Sequence, residues 1–134
     1  MTVVVDSSVV VAALLDQGPV GSWAEALLLS GPLAGPHLLP AEVANILRRA
    51  VAAGNTSADV GALAHDDLLS LPIELFPYRP CAARIWELRS NITPYDAWYV
   101  TLAEQLGAPL ATLDARLGRA AGPRCEFTLP PALQ

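Results

Sequence analysis

The chain has 134 residues, 53% of them hydrophobic, which is enough to bury a core of its own and too apolar for disorder over most of its length. A formal charge of −5 argues against a surface coated in positive charge for non-specific nucleic-acid binding. All 8 basic residues are arginine, which excludes mechanisms that need a lysine, the phosphate-binding P-loop among them.

Thr2 to Val5 is a β-branched run and reads as a buried strand. Val9 to Leu15 continues apolar and reads as the start of a helix, broken at Gln17-Gly18-Pro19. Trp23 to Leu29 is a second helix, stopped by Ser30-Gly31-Pro32, and Ala34 to Leu38 holds a short strand. Pro40 to Ala53 is a helix with proline in its first turn and Gly54-Asn55 at its end. Thr56 or Ser57 caps the next helix, which runs to about Ser70. Ile73 to Phe76 is a strand. Pro80 to Ser90 is a helix anchored by Ile85, Trp86 and Leu88. Thr93 caps a helix over Pro94 to Leu106, ended by Gly107. Pro109 to Leu113 is a strand, Ala115 to Ala120 a short helix, and Glu126 to Leu129 an edge strand. Helices alternating with short apolar strands predict an α/β fold with a parallel sheet covered on both faces. No repeat, low-complexity tract or long linker divides the chain, so one domain over 1–134 is expected. The apolar stretch Val9 to Leu15 is too short to span a bilayer, and no basic segment precedes it. Neither a signal peptide nor a membrane anchor is expected, and the chain reads as cytoplasmic.

Cys81 and Cys125 are isolated, and neither His37 nor His65 stands at zinc-ligand spacing from them. They read as reduced thiols. The chemistry lies in the acids. Asp6 closes Val3-Val4-Val5 and Asp114 closes Leu110-Ala111-Thr112-Leu113; Glu42 and Asp96 stand at helix mouths after Pro40 and Pro94. Side chains at strand ends and helix starts of an open α/β sheet converge on one crevice. Two carboxylates ~5 Å apart at an effective dielectric of about 20 repel by roughly 3 kcal/mol. A divalent cation removes that cost. Oxygen-only ligation suits Mg²⁺, with Mn²⁺ as a substitute, and such ions drive phosphodiester cleavage. Taken singly, each acid has an ordinary explanation: Asp6 and Asp114 as helix caps, Glu42 and Asp96 as first-turn carboxylates favoured by the helix dipole. Asp59, Asp66, Asp67 and Glu104 fall on polar helix faces and read as solvated.

Smaller polar groups accompany the acids. Ser7 or Ser8 follows Asp6, Asn45 lies three residues after Glu42, Thr112 lies two before Asp114, and Thr93 either orients Asp96 or only caps its helix. Arg48, Arg49 and Arg116, with Arg119, are candidates for phosphate contact or plain surface. Tyr95, Trp98 and Tyr99 flank Asp96 and either stack on a base or pack in the core.

Val-Val-Asp6-Ser-Ser, Pro-Ala-Glu42-Val-Ala-Asn45, Thr93-Pro-Tyr-Asp96-Ala and Ala-Thr112-Leu-Asp114, in this order, resemble a PIN domain, and more narrowly the VapC-type toxins of bacterial toxin–antitoxin pairs. The resemblance runs from Val3 to about Thr128. It implies a PIN-like parallel sheet flanked by helices and a Mg²⁺- or Mn²⁺-dependent endoribonuclease, with Asp6, Glu42, Asp96 and Asp114 as metal ligands. It also implies a homodimer and a VapB-like antitoxin that blocks the site, the two forming a heterotetramer or larger assembly. Two rivals stand beside it. One is a metal-dependent phosphatase, which usually needs a second acid just after the first strand, where Ser7 and Ser8 stand instead. The other is a non-catalytic PIN-like module that only binds a protein.

Overall fold

The computed structural model describes residues Met1–Gln134. Five short strands form one sheet: β1 (Val3–Val5), β2 (Leu33–Pro36), β3 (Ile73–Phe76), β4 (Leu110–Ala111) and β5 (Phe127–Thr128), in the order β3-β2-β1-β4-β5. Every pairing is parallel, with Val4 opposite Ala34 on one side and Leu110 on the other. The central strand is the β-branched run, and all three of its residues are buried. Seven helices connect the strands: α1 (Ser7–Leu15), α2 (Pro19–Leu28), α3 (Leu39–Ala52), α4 (Ala58–Ser70), α5 (Ala82–Glu87), α6 (Pro94–Leu106) and α7 (Ala115–Gly118).

Strand order fixes the layers. From β1 the chain steps to β2 and β3 in one direction, then returns past β1 to β4 and β5. Right-handed crossovers therefore put α1 to α4 on one face and α5 and α6 on the other. The packing agrees: α1 lies against α2, α3 and α4, while α6 lies against α5, β1, β2 and β4. Val4, Val5, Val9, Val10, Val43, Val100 and Leu110 lose all contact with solvent between these layers.

Several elements differ from their sequence expectation. Helix α2 starts at Pro19 rather than Trp23, because proline's fixed φ suits the first helical turn as well as it suits a break. Gly21 sits where α2 crosses the end of α1; a Cβ there would stand 1.8 Å from the Asp16 carbonyl oxygen. The helix expected over 80–90 is a 3₁₀ turn at Arg79–Cys81, then α5, then a second 3₁₀ turn at Leu88–Ser90. Ile85 and Leu88 are buried in it as expected, but Trp86 is 67% exposed and lies under the Arg89 guanidinium at 4.7 Å. One face of its ring meets a cation rather than the core. Strands β4 and β5 are shorter than read, because ladder pairing there spans only two residues. Gly107 ends α6 in the left-handed conformation, φ 60°. No helix is long and apolar enough to cross a membrane.

Candidate active site

The topological switch point lies between β1 and β4, where the strand order reverses, and open α/β sheets bind their ligands there, beyond the strands' carboxyl ends. Asp6 directly follows β1 and Asp114 follows β4. Each is a helix N-cap. Asp6 Oδ1 accepts the Val9 N–H of α1 at 3.1 Å, and Asp114 Oδ1 accepts the Arg116 and Leu117 N–H groups at 2.9 and 3.2 Å. Two hydroxyls tie the strand ends together. Ser8 donates to Asp6 Oδ1 at 2.5 Å and accepts the Leu113 N–H at 3.1 Å. The fully buried Thr112 accepts the Asp114 N–H at 3.0 Å and also acts on the Asp6 carboxylate.

Asp96 is in the first turn of α6, where Thr93 caps the helix by accepting the Asp96 N–H at 3.2 Å. Glu42 is in the first turn of α3 on the other side of the sheet, and its Oε1 accepts the Tyr99 hydroxyl of α6 at 2.5 Å. The four acids share one field, with Asp96 in common. Burial pushes the Asp6 carboxyl up to about 6 against the bonds from Ser8, Thr112 and Val9, and the charge of Asp96 adds to the rise. Burial also raises Glu42, with Tyr99 opposing and Asp96 adding. Asp96 is itself raised by burial and by Asp114, and eased by Thr93 and Arg116.

As they stand, no three acidic, histidine or cysteine side chains close into a ready-made set of metal ligands. Coordination by three of them therefore requires the side chains to draw inward. The donor chemistry nonetheless fits a hard divalent ion. Only carboxylate and hydroxyl oxygens meet here, and the hydrogen bonds on Glu42 and Asp114 fall on one oxygen of each. The one cation against the acids is Arg116, 90% exposed, with its Nε 3.8 Å from Asp114; an exposed pair of that kind neutralises little.

A crevice of about 340 Å³ opens beside Asp96 and Asp114, lined also by Asn91, Thr93, Arg116 and Leu117. Asp6 and Glu42 do not line it. A larger cavity of about 430 Å³ lies against Met1, Pro109 and Glu126, at the opposite, amino ends of the strands. Its Glu104 is already committed to Arg84, so the switch-point crevice is the better candidate for chemistry.

The remaining sequence candidates are placed as follows. Ser8 rather than Ser7 bonds Asp6; Ser7 lies beside the Tyr99 hydroxyl. Asn45 is exposed and accepts from Arg48 at 2.9 and 3.1 Å, and neither residue touches an acid of the site. Arg49 is an exposed helix residue. Tyr95 is exposed, while Trp98 packs edge-on against Tyr78 at 5.2 Å between centroids. Glu104 is not solvated: Arg84 grips both of its oxygens at 2.9 and 3.2 Å. Tyr99, which the sequence offers for base stacking or core packing, is buried and donates to Glu42, a role that reading does not contain. Its signal was its place three residues after Asp96, on the same side of one helix.

Residues 3–123 match the family model described as the PIN domain. The chain is 42% identical over 127 residues to ribonuclease VapC1 of Mycobacterium tuberculosis, a match covering 94% of this chain and 96% of that protein. It is similar in structure to VapBC2 from Rickettsia felis, solved bound to a DNA fragment from its promoter, with a TM-score of 0.68, 16% identity, and coverage of 96% and 98%. The same score, at 21% identity with 96% and 97% covered, relates it to FitAcB from Neisseria gonorrhoeae. At these identities the two solved structures speak for the fold.

Proposed function

The chain belongs to the PIN-domain family, among its VapC-type members, and on that premise we propose that it is a Mg²⁺- or Mn²⁺-dependent endoribonuclease, the toxin of a toxin–antitoxin pair. The observation that carries the reading is the field of four acids at the switch point, with Asp96 facing Asp6, Glu42 and Asp114. VapC1's own name, a ribonuclease, supports it.

Asp6, Glu42, Asp96 and Asp114 would hold the ion. When bound, it supplies Lewis-acid chemistry, lowering the pKa of water and neutralising charge that develops on a phosphodiester. The chain's residues do the rest. Ser8 and Thr112 lock Asp6 and Asp114 into one relative geometry across β1 and β4. Thr93 and the amino terminus of α6 steady Asp96. Asp96, the acid that the other three have in common, is the one we assign to orient the attacking water. Arg116, at the rim of the crevice, is placed to meet a backbone phosphate.

The same proposal takes residues 1–134 as one domain acting in the cytoplasm, with RNA as substrate. It includes a homodimer and a VapB-like antitoxin that joins it in a heterotetramer or larger assembly. The phosphatase rival is disfavoured because hydroxyls, not a second acid, follow Asp6.

Asp6→Asn and Asp96→Asn are expected to abolish Mg²⁺- and Mn²⁺-dependent cleavage of total RNA while each variant still melts cooperatively. Full activity in both overturns the assignment. Turnover of a generic phosphoester in place of RNA identifies a phosphatase.

A further inference from the structure

The Tyr99 hydroxyl is the only donor of the chain that reaches the Glu42 carboxylate, and it does so across 57 positions of sequence, from α6 to α3. Tyr99 is 3% exposed, so its ring is gripped by the core and cannot swing away. Asp96 lies one turn earlier on the same side of α6. Ser7, at the start of α1, stands beside the same hydroxyl. One phenol oxygen thus joins the first turn of α3 to the helix that carries Asp96.

We propose that Tyr99 is a positioning residue for the metal site. By occupying Oε1 of Glu42 it leaves Oε2 as the ligating oxygen and sets the reach of Glu42 relative to Asp96. This rests on the reading of the four acids as metal ligands. A buried tyrosine needs an acceptor in any fold, so a purely structural bond is the alternative to defeat.

Tyr99→Phe keeps the ring and removes only the oxygen, and Oε1 of the part-buried Glu42 can be hydrated instead. Calorimetric titration of Mn²⁺ into the purified protein is expected to show about tenfold weaker binding in Y99F, the size usual for a lost ligand-orienting partner. With Glu42→Gln already in place, adding Y99F should change Mn²⁺ affinity no further, because the hydroxyl then has no carboxylate ligand to position. Three acids remain in E42Q to hold the ion, so its binding is read at higher Mn²⁺. On RNA, kcat should fall with KM unchanged. Equal Mn²⁺ affinity in the wild type and Y99F overturns the inference, and so does an equal loss in both backgrounds, which would mark a packing effect. A wild-type protein that neither binds Mn²⁺ nor cleaves RNA overturns the metal reading itself, and the inference with it.

Discussion

Asp6 answers two opposed demands. As the cap of α1 it must present an oxygen to Val9, which a neutral side chain also does, although the bond favours the ionised form. Buried, and a neighbour of Asp96, it is penalised for its charge, and its pKa rises from 3.8 to about 6. The ionised form is therefore the costly one in the metal-free fold. The cost is fully present above about pH 6 and is relieved as the pH falls toward the unfolded value of 3.8. A shift of this size corresponds to at most about 3 kcal/mol near neutrality. Asp6→Asn keeps the cap acceptor and removes the charge. Metal-free Asp6→Asn is expected to melt higher than the wild type at pH 7.5, with the gap narrowing between pH 6 and pH 4. Urea or thermal unfolding across that range checks it. A variant less stable than the wild type at pH 7.5 would show that the carboxylate is not under strain.

At the scale of elements, the segment after α7 has little regular structure and is held by a few side chains, Arg84 at their centre. Arg84 of α5 donates to both oxygens of Glu104 on α6 and, at 2.7 Å, to the Gly122 carbonyl, while Glu104 also accepts the Arg124 N–H at 2.7 Å. Asn91 adds a bond to the Ala121 carbonyl at 2.6 Å. These contacts strap residues 121–124 across the ends of α5 and α6 and so steady the approach to β5. Burial alone would raise Glu104, but the bonds and charges of Arg84 and Arg124 outweigh it, and its pKa is lowered. The strap thus adds stability above the ordinary glutamate pKa of 4.5 and loses it as the pH falls through the lowered folded value. Arg84→Ala leaves a mostly buried carboxylate and the Gly122 carbonyl without their donor. It is expected to cost roughly 2–3 kcal/mol at pH 7, and less in acid. Chemical denaturation at pH 7 and at pH 4 measures both. An equal loss at the two pH values would show that the ion pair is not what the strap depends on.

At the scale of the whole molecule, one sheet binds two helical layers, and the layers differ. The α5–α6 side presses against three strands and supplies Leu102, Val100 and Tyr99 to the core. The α1–α4 side leaves apolar groups outside: Leu29 is 87% exposed, Leu63 63% and Leu69 69%. Val60 and Leu63 share one face of α4. Where such groups form a contiguous patch, a partner normally covers it. The homodimer proposed for this chain is expected to bury part of it. Sedimentation at micromolar concentration should show a dimer that Leu63→Glu converts to monomer without loss of helical content. A wild-type monomer under those conditions counts against this use of the surface.

The sequence alone determined the alternation of elements, the parallel sheet and the standing of Asp6, Glu42, Asp96 and Asp114 at strand ends and helix starts, because each rests on local chemistry. A β-branched triplet at Val3–Val5, prolines in the first turns of α3 and α6, and carboxylates at strand ends and helix mouths are all legible within a few residues. Boundaries failed where local rules compete. Proline both ends and begins helices, so the local pattern starts α2 at Trp23 where the fold starts it at Pro19, and two 3₁₀ turns interrupt a pattern that reads as one helix over 80–90. Only the tertiary structure decided which polar groups meet. Tyr99 and Glu42 stand 57 positions apart, Ser8 and Leu113 105 apart, and Arg84 and Glu104 20 apart. No periodicity within a helix or strand encodes such pairs; they exist because strand order and the hand of the crossovers bring separate chain segments together.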